Sequence, residues 1–206
     1  MAYSCSGSVN RDDGRCFQRR GTLHAFTQGV VRMATAQIAD LKCAHQRVLM
    51  RVDFNVPLDE DGAVLDDRRI RAAIPTVQAV LKKGGLPILM SHLGRPSGTG
   101  PETAYSLAPI ASRLQALLGP SHQVHFVSGA CRGSDPARTI EIAAAGDVVM
   151  LDNLRFEAGE KANDSEFAKE VAALGDAYVN DAFGTAHRAH ASMVAVPDAM
   201  HGKPKV

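Results

Sequence analysis

Short apolar runs alternate with amphipathic segments along most of the chain. Five runs of four to six residues have the composition of buried strands: Arg47–Val52, Leu86–Met90, Val124–Val127, Asp147–Leu151 and Ala177–Asn180. Between several of them, apolar residues recur at helical spacing. Strands that alternate with helices indicate right-handed βαβ crossovers and a parallel sheet covered on both faces. The pattern therefore predicts an α/β fold, with a Rossmann-like open parallel sheet in a three-layer αβα arrangement.

The first amphipathic segment contains a proline. Its apolar stripe consists of Ile70, Ile74, Val77 and Leu81, and it ends before Gly84 and Gly85. Because proline lacks an N–H and clashes with the preceding turn, Pro75 predicts that this helix begins near Ile74 or bends there.

Three further helices are predicted from their boundaries. Ser106 is the expected N-cap of a helix that Gly119 ends, and residues 136–145 form a short helix. Asn163, with Glu166 three residues later, has the spacing of a capping box at the start of another helix.

The first 32 residues differ in composition from the rest, because they are rich in arginine and serine and contain few acids. They have no apolar core of a secretory signal, which leaves an organellar transit peptide or a disordered extension before Met33. We expect residues 1–32 to be such an extension, 33–197 to be one domain and 198–206 to be a truncated tail. The expected location is cytoplasmic, or an organelle if the extension is a transit peptide.

Overall composition restricts the choice of partners. The net charge of +1 favours neither nucleic acid nor a membrane surface as a partner, and no apolar run is long enough to span a membrane. The four cysteines show no metal-ligand spacing and suit a reducing compartment.

Four of the five predicted strands run into polar clusters. These clusters contain Asp53 and Asn55, then His92 and Arg95, then Asp152 and Arg155, and finally Asp181 and Arg188. In an open parallel sheet, ligands bind beyond the carboxyl ends of the strands. Arginine carries a permanent charge and a planar fork that matches phosphate or carboxylate. The clusters therefore predict an anion-binding site, with Arg69 just before the first helix stripe.

Other interpretations of these clusters exist. A single arginine is usually a solvated surface group or a partner in a structural ion pair, and Asp53 has a possible partner in Arg51. His92, His187 and His190 suggest a metal site, but the third-ligand and second-shell spacing of zinc sites is missing, so we expect no metal. No glycine-rich nucleotide-phosphate loop is present in the sequence.

Four strings of residues together resemble phosphoglycerate kinase. They are Arg-Val-Asp-Phe-Asn-Val-Pro at 51–57, Met-Ser-His-Leu-Gly-Arg-Pro at 90–96, Asp-Asn-Leu-Arg-Phe-Glu at 152–157 and Val-Asn-Asp-Ala-Phe-Gly-Thr-Ala-His-Arg-Ala-His at 179–190. They occur in the order that this family has. The resemblance covers roughly residues 41–197, which correspond to the amino-terminal, 3-phosphoglycerate-binding domain of the family.

The resemblance implies a role for each matching residue. Asp53 and Asn55 would hold the hydroxyl region of 3-phosphoglycerate, and Arg69 would act catalytically at its carboxyl end. The phosphate would be bound by His92, Arg95, Arg155 and Arg188. The acceptor is a carboxylate that is already ionised at neutral pH, so the reaction needs no general base and depends on positioning and charge stabilisation.

The resemblance also implies partners that the sequence does not supply. In this family, Mg-ATP or Mg-ADP is bound by a carboxyl-terminal domain, whereas this chain stops at Val206. We therefore expect a kinase that converts ATP and 3-phosphoglycerate into ADP and 1,3-bisphosphoglycerate, of which this chain is the acceptor half, inactive alone and monomeric. A stand-alone phosphometabolite-binding module and an inactive remnant are the alternatives.

Overall fold

The structure, a computed structural model, describes residues 38–182, 184 and 188–206. A sheet of five parallel strands lies at its centre, in the order β3-β4-β2-β1-β5. The strands are β1 Arg47–Val52, β2 Leu86–Met90, β3 Val124–Val127, β4 Val148–Leu151 and β5 Ala177–Asp181. Each strand lies within one residue of the run that predicted it, and the predicted parallel α/β fold is confirmed.

Six α-helices connect or follow these strands in the described part of the chain. They are α1 Arg68–Lys82, α2 Ala108–Leu118, α3 Ser134–Ile142, α4 Ala158–Ala162, α5 Ser165–Ala172 and α6 Ala195–Ala199. None of the helices among the described residues is long and apolar enough to cross a membrane.

Hydrophobic cores cover both faces of the sheet. On one face, Val48 and Met50 of β1 belong to the cluster that contains residues of α1 and α2. On the other face, Leu49 belongs to the cluster that contains residues of α3, α5 and α6. Successive side chains of a strand point to opposite faces, so β1 must be apolar on both. This double burial explains why the strands appear in the sequence as continuous apolar runs.

Helix α1 begins earlier than the proline suggested. It starts at Arg68 and contains Pro75 in its interior, so the predicted start near Ile74 is wrong. Its buried residues are Ile70, Ala73, Val77 and Val80. Packing of this face against the sheet offsets the hydrogen bond that Pro75 cannot donate.

The predicted helix starts are displaced by one or two residues. The Ser106 hydroxyl accepts the N–H of Ala108 at 3.2 Å, but α2 has Leu107 as its N-cap residue. Likewise, α3 begins at Ser134, two residues before the predicted start.

The capping box predicted at Asn163 is wrong. Asp164 is the N-cap of α5, and its Oδ1 accepts the N–H of Phe167 at 2.8 Å. Asn163 instead ends α4 in the left-handed conformation, with a φ of 53°, which asparagine tolerates better than most residues. Asn163 and Asp164 are both potential capping residues, and the backbone conformation decides that the first ends α4 and the second begins α5.

The last residues of the chain extend the sheet beside β5. The N–H of Tyr178 donates to the carbonyl of Pro204 at 3.0 Å, and the N–H of Val206 donates to the carbonyl of Tyr178 at 3.0 Å. The N–H of Asn180 then donates to the carbonyl of Val206 at 2.8 Å. These bonds satisfy backbone groups that would otherwise lie open at the edge of the sheet.

Candidate anion-binding site

The loops after three neighbouring strands meet at Gly94. Its N–H donates to Oδ1 of Asn55, which follows β1, at 2.9 Å. Its carbonyl accepts a hydrogen bond of 2.7 Å from Nη1 of Arg155, which follows β4. Gly94 itself lies in the loop after β2. Two of the predicted site residues are therefore fixed against the loop that carries two others, His92 and Arg95.

Only glycine fits this junction. Gly94 has a φ of 59°, in the left-handed region that L-residues with side chains rarely adopt. A Cβ atom at this position would lie 2.6 Å from ring carbons of Tyr105. Both the backbone conformation and the available space therefore exclude a side chain at the point where the three loops meet.

Several arginines lie close enough to lower the pKa of Arg155. The Arg155 side chain is buried, with the residue 5% exposed, and its Nε has no hydrogen-bond partner in the described structure. Burial is the largest cause that lowers its pKa, and the charge of Arg188 is the second-largest lowering effect. Arg51 and Arg95 lower the pKa of Arg155 further, whereas Glu160 raises it. A cluster of guanidinium groups with little acidic compensation is an environment that an anion would stabilise.

Arg95 and Arg188 contribute exposed charge to this cluster. Both residues are exposed, and neither forms an ion pair with an acid in the described ranges. Arginines elsewhere behave differently: Arg47, for example, donates to both carboxylate oxygens of Asp176. The charges of Arg95 and Arg188 are therefore not used in ion pairs among the described residues.

His92 is a neutral member of the site. It is 3% exposed, and its Nδ1 lies 2.9 Å from Nη2 of Arg51. Burial, followed by the charges of Arg51 and Arg155, lowers the pKa of His92 to about 2. The imidazole is therefore uncharged at any physiological pH and can bind an anion as a hydrogen-bond donor only.

Arg51 is a residue that the sequence assigned to a strand and not to the site. It is 1% exposed, and its guanidinium donates to the Ser192 hydroxyl at 2.9 Å and to the carbonyl of Val52. Ser192 in turn donates its hydroxyl hydrogen to Oε1 of Glu160 at 2.6 Å. The sequence signal for this role was a charged residue next to the end of a mostly apolar strand, because a buried charge requires partners.

Glu160 also holds the segment that follows Arg188. Its Oε2 accepts the N–H of Ser192 at 2.8 Å, and its backbone carbonyl accepts the N–H of Ala191 at 2.8 Å. The Nδ1 of His190 lies 3.8 Å from Oε1 of the same carboxylate. Burial is the largest cause that lowers the pKa of His190, and Glu160 opposes it.

Asp53 and Arg69 form an ion pair beside this cluster. Nη1 of Arg69 donates to Oδ2 of Asp53 at 2.6 Å, so the partner of Asp53 is Arg69 and not Arg51. The Arg69 side chain is 53% exposed and the Asp53 side chain 16% exposed. A cavity of about 110 Å³ adjoins the pair, and Asp181 lines it as well. Burial raises the pKa of Asp181, whose Oδ2 has no partner in the described structure.

Asp152, in the cluster after β4, has a structural role. It is 1% exposed and accepts the N–H groups of Leu107, Gly129 and Asn153, each at 2.8 Å. The Ser106 hydroxyl donates to it at 3.1 Å. Its oxygens are fully used in holding the start of α2 and two loops, so it is not available to a ligand.

The structure offers no support for a metal site in this region. Among residues 38–182, 184 and 188–206, no group of three or more His, Cys, Asp or Glu side chains is arranged to hold a metal ion. His187, which the sequence offered as a candidate ligand, lies outside the described residues.

Comparison with known proteins connects this geometry to one family. The family model described as "Phosphoglycerate kinase" matches residues 38–204. A phosphoglycerate kinase of Rhodopirellula baltica is 56% identical over 174 residues, which are 84% of this chain and 43% of the relative. One of Chloroherpeton thalassium is 56% identical over 160 residues, 78% of this chain and 39% of the relative. The chain thus spans about two fifths of the length of these curated relatives.

Solved structures agree with the sequence matches. The structure of phosphoglycerate kinase from Coxiella burnetii has a TM-score of 0.67 and 34% identity, covering 81% of this chain and 39% of that one. The crystal structure from Pyrococcus horikoshii has a TM-score of 0.71 and 27% identity, covering 84% of this chain and 42% of that one.

Proposed function

Since the chain belongs to the phosphoglycerate kinase family, we propose that its described domain binds 3-phosphoglycerate and presents the carboxylate of this ligand for phosphorylation by ATP. The complete reaction would yield ADP and 1,3-bisphosphoglycerate, as a step of glycolysis. The observation that carries the proposal is the buried Arg155 guanidinium, which donates to the Gly94 carbonyl at 2.7 Å, with its pKa lowered by the nearby charges of Arg188, Arg51 and Arg95. Such a concentration of positive charge favours a ligand with a phosphate group.

The phosphate would be bound by His92, Arg95, Arg155 and Arg188. Arg155 and the neutral His92 are buried and positioned by protein contacts, whereas Arg95 and Arg188 are exposed. The buried pair would fix the position of the phosphate, and the exposed pair would add positive charge next to it.

The rest of the ligand would extend toward Asp53 and Arg69. The carbonyl oxygen of the Asn55 side chain is occupied by Gly94, so Asn55 would donate to the hydroxyl region through its amide group. Arg69, which Asp53 orients at 2.6 Å, would face the carboxylate and stabilise charge there during transfer. The carboxylate is ionised at neutral pH, so the site requires no general base.

Two observations argue against a nucleotide site among the described residues. The N-terminus of α2 is occupied by the carboxylate of Asp152, and no glycine-rich phosphate loop is present in the sequence. We propose that Mg-ATP binds to the carboxyl-terminal domain that the family implies. The monomeric state and the cytoplasmic location remain predictions from the sequence.

Calorimetric titration of the 206-residue chain with 3-phosphoglycerate tests the binding role. We expect heat of binding with 3-phosphoglycerate and none with glycerate, which lacks the phosphate and serves as the matched control ligand. Circular dichroism of the same sample establishes that the chain is folded. A folded chain that does not distinguish the two ligands would contradict the proposal.

A chimeric protein tests the phosphoryl transfer. Residues 38–204 of this chain would replace the matching segment of the Rhodopirellula baltica relative, with which the chain shares 56% identity over 174 residues. We expect the chimera to release ADP from ATP in the presence of 3-phosphoglycerate. The Arg69→Ala change should lower its turnover on the order of 10³-fold, by analogy with other arginines in phosphoryl transfer. Unchanged turnover in that variant would exclude the catalytic role of Arg69.

A further inference from the structure

A buried chain of hydrogen bonds ends at His92. It runs from Glu160 through Ser192 and Arg51, and these four residues are 0%, 0%, 1% and 3% exposed. The three links measure 2.6 Å between Ser192 and Glu160, 2.9 Å between Arg51 and Ser192, and 2.9 Å between Arg51 and His92. The partners come from different parts of the sequence, because Arg51 lies 141 residues before Ser192.

The chemistry of arginine fixes the direction of every bond in this chain. A guanidinium has five N–H donors and no acceptor. The Ser192 oxygen must therefore accept from Arg51, and its single hydrogen is left for the carboxylate of Glu160. At the other end, Nδ1 of His92 must accept from Arg51 and cannot carry a proton. A neutral imidazole without a proton on Nδ1 has its proton on Nε2.

We propose that Arg51, anchored to Glu160 through Ser192, is a positioning residue that holds His92 as the neutral Nε2–H tautomer, ready to donate to the phosphate of the ligand. The identity of that ligand rests on the proposed function, whereas the tautomer does not. Among the described residues, the hydrogen bond of the His92 ring is the one between Nδ1 and Arg51, which leaves Nε2 for the ligand.

The arrangement gives the site a donor whose protonation state stays the same from about pH 5 to about pH 8. A protonated His92 would place an N–H against the guanidinium of Arg51, which both burial and charge oppose. The same residue fixes the segment after Arg188, because the Glu160 carboxylate accepts the N–H of Ser192 and the Glu160 backbone carbonyl accepts the N–H of Ala191, each at 2.8 Å. One buried glutamate therefore positions a neutral donor and the segment that carries an exposed arginine.

The tautomer is measured directly by NMR of the ligand-free chain. In ¹⁵N-labelled protein, two-bond couplings within each imidazole ring distinguish Nδ1–H, Nε2–H and doubly protonated forms, and the His92→Gln variant assigns the His92 signals. We expect a single Nε2–H form throughout the range from about pH 5 to about pH 8, well above the pKa of about 2. An Nδ1–H form or an imidazolium within that range would overturn the proposal.

Variants of Arg51 separate positioning from a general structural role. Arg51→Lys keeps a group that only donates, and it should retain the Nε2–H form. Arg51→Gln/Glu160→Gln removes both buried charges together and introduces a side chain that can donate or accept, so both tautomers should appear. We expect this double variant to bind 3-phosphoglycerate on the order of 10-fold more weakly. A folded double variant that retains only the Nε2–H form would overturn the role of Arg51.

Addition of ligand distinguishes this inference from the proposed function. We expect the Nε2–H signal of His92 to shift with 3-phosphoglycerate and not with glycerate. A pure Nε2–H form in a chain that binds no 3-phosphoglycerate would contradict the proposed function and still support the role of Arg51. Binding of 3-phosphoglycerate to a chain in which His92 has the Nδ1–H form would support the proposed function and contradict the role of Arg51.

Discussion

The N–H of Gly94 donates a 2.9 Å hydrogen bond to Oδ1 of Asn55, which joins the loops that follow β1 and β2. These two strands are neighbours in the sheet, and their register places Arg51 opposite Met90. The bond holds the loop of His92 and Arg95 against the end of β1. Because it depends on a glycine in a left-handed conformation, it is a point at which a small substitution should have a large effect.

Gly94→Ala should destabilise the protein more than an ordinary glycine substitution. The new Cβ would lie 2.6 Å from ring carbons of Tyr105, in addition to the backbone strain at a φ of 59°. We expect a loss of about 2 to 4 kcal/mol in the free energy of unfolding, measured with urea. Gly62→Ala is the matched control, because Gly62 has a φ of 82° but no atom within 4 Å. Equal losses in the two variants would exclude the contact with Tyr105.

Arg155→Lys should weaken binding of 3-phosphoglycerate on the order of 10- to 100-fold. The guanidinium offers separate N–H groups to the Gly94 carbonyl and to the phosphate, whereas the single ammonium of lysine would have to reach both. Calorimetric titration at several salt concentrations would measure the change, and affinity should fall with salt in both proteins. Arg138→Lys, at an exposed position on α3, is the control. Wild-type affinity in Arg155→Lys would remove this residue from the site.

Glu160→Gln should lower the free energy of unfolding by about 3 kcal/mol or more, because it leaves the buried charge of Arg51 without its acid. Urea unfolding of the variant and of wild type measures the difference. Glu166→Gln removes an acid of the same type from an exposed pair with Lys169 and should have no measurable effect. If both variants unfold like wild type, Glu160 is not the anchor of the buried network.

The free energy of unfolding should decrease as the pH is lowered below about 6.5, in part because of His92. Burial and nearby charge lower the pKa of His92 from 6.5 to about 2, so the unfolded chain takes up a proton first as the pH falls. This effect is small above pH 6.5, and it lowers the free energy of unfolding progressively as the pH falls to about 2. Between pH 6.5 and 5, we expect wild type to lose about 1 to 2 kcal/mol through this group.

Urea unfolding at several pH values checks this expectation against His92→Gln, which keeps an acceptor for Arg51 but does not titrate. The variant should show a shallower decline, although the lowered pKa of His190 still contributes in the same direction. Parallel declines in the two proteins would show that His92 is not the group responsible.

Much of the fold follows from local sequence. The runs at β1, β2 and β3 predicted the bounds of these strands, because strands buried on both faces are apolar at most positions. Helix ends were predicted less well. At Asn163 and Asp164, two residues of similar capping ability stand together, and the spacing to Glu166 selected the wrong one. Capping depends on backbone angles that the residue type alone does not specify.

The sequence by itself determined where the strands lie, which polar residues follow them and, through four strings, the family to which they belong. Only the tertiary structure decided the strand order and the partner of each charge. Asp53 pairs with Arg69 and not with Arg51, while Arg51 is bound to Ser192, 141 residues away. The physical reason is that a strand is recognised by its own burial pattern, whereas a buried charge is satisfied by whichever group the fold brings within hydrogen-bond distance.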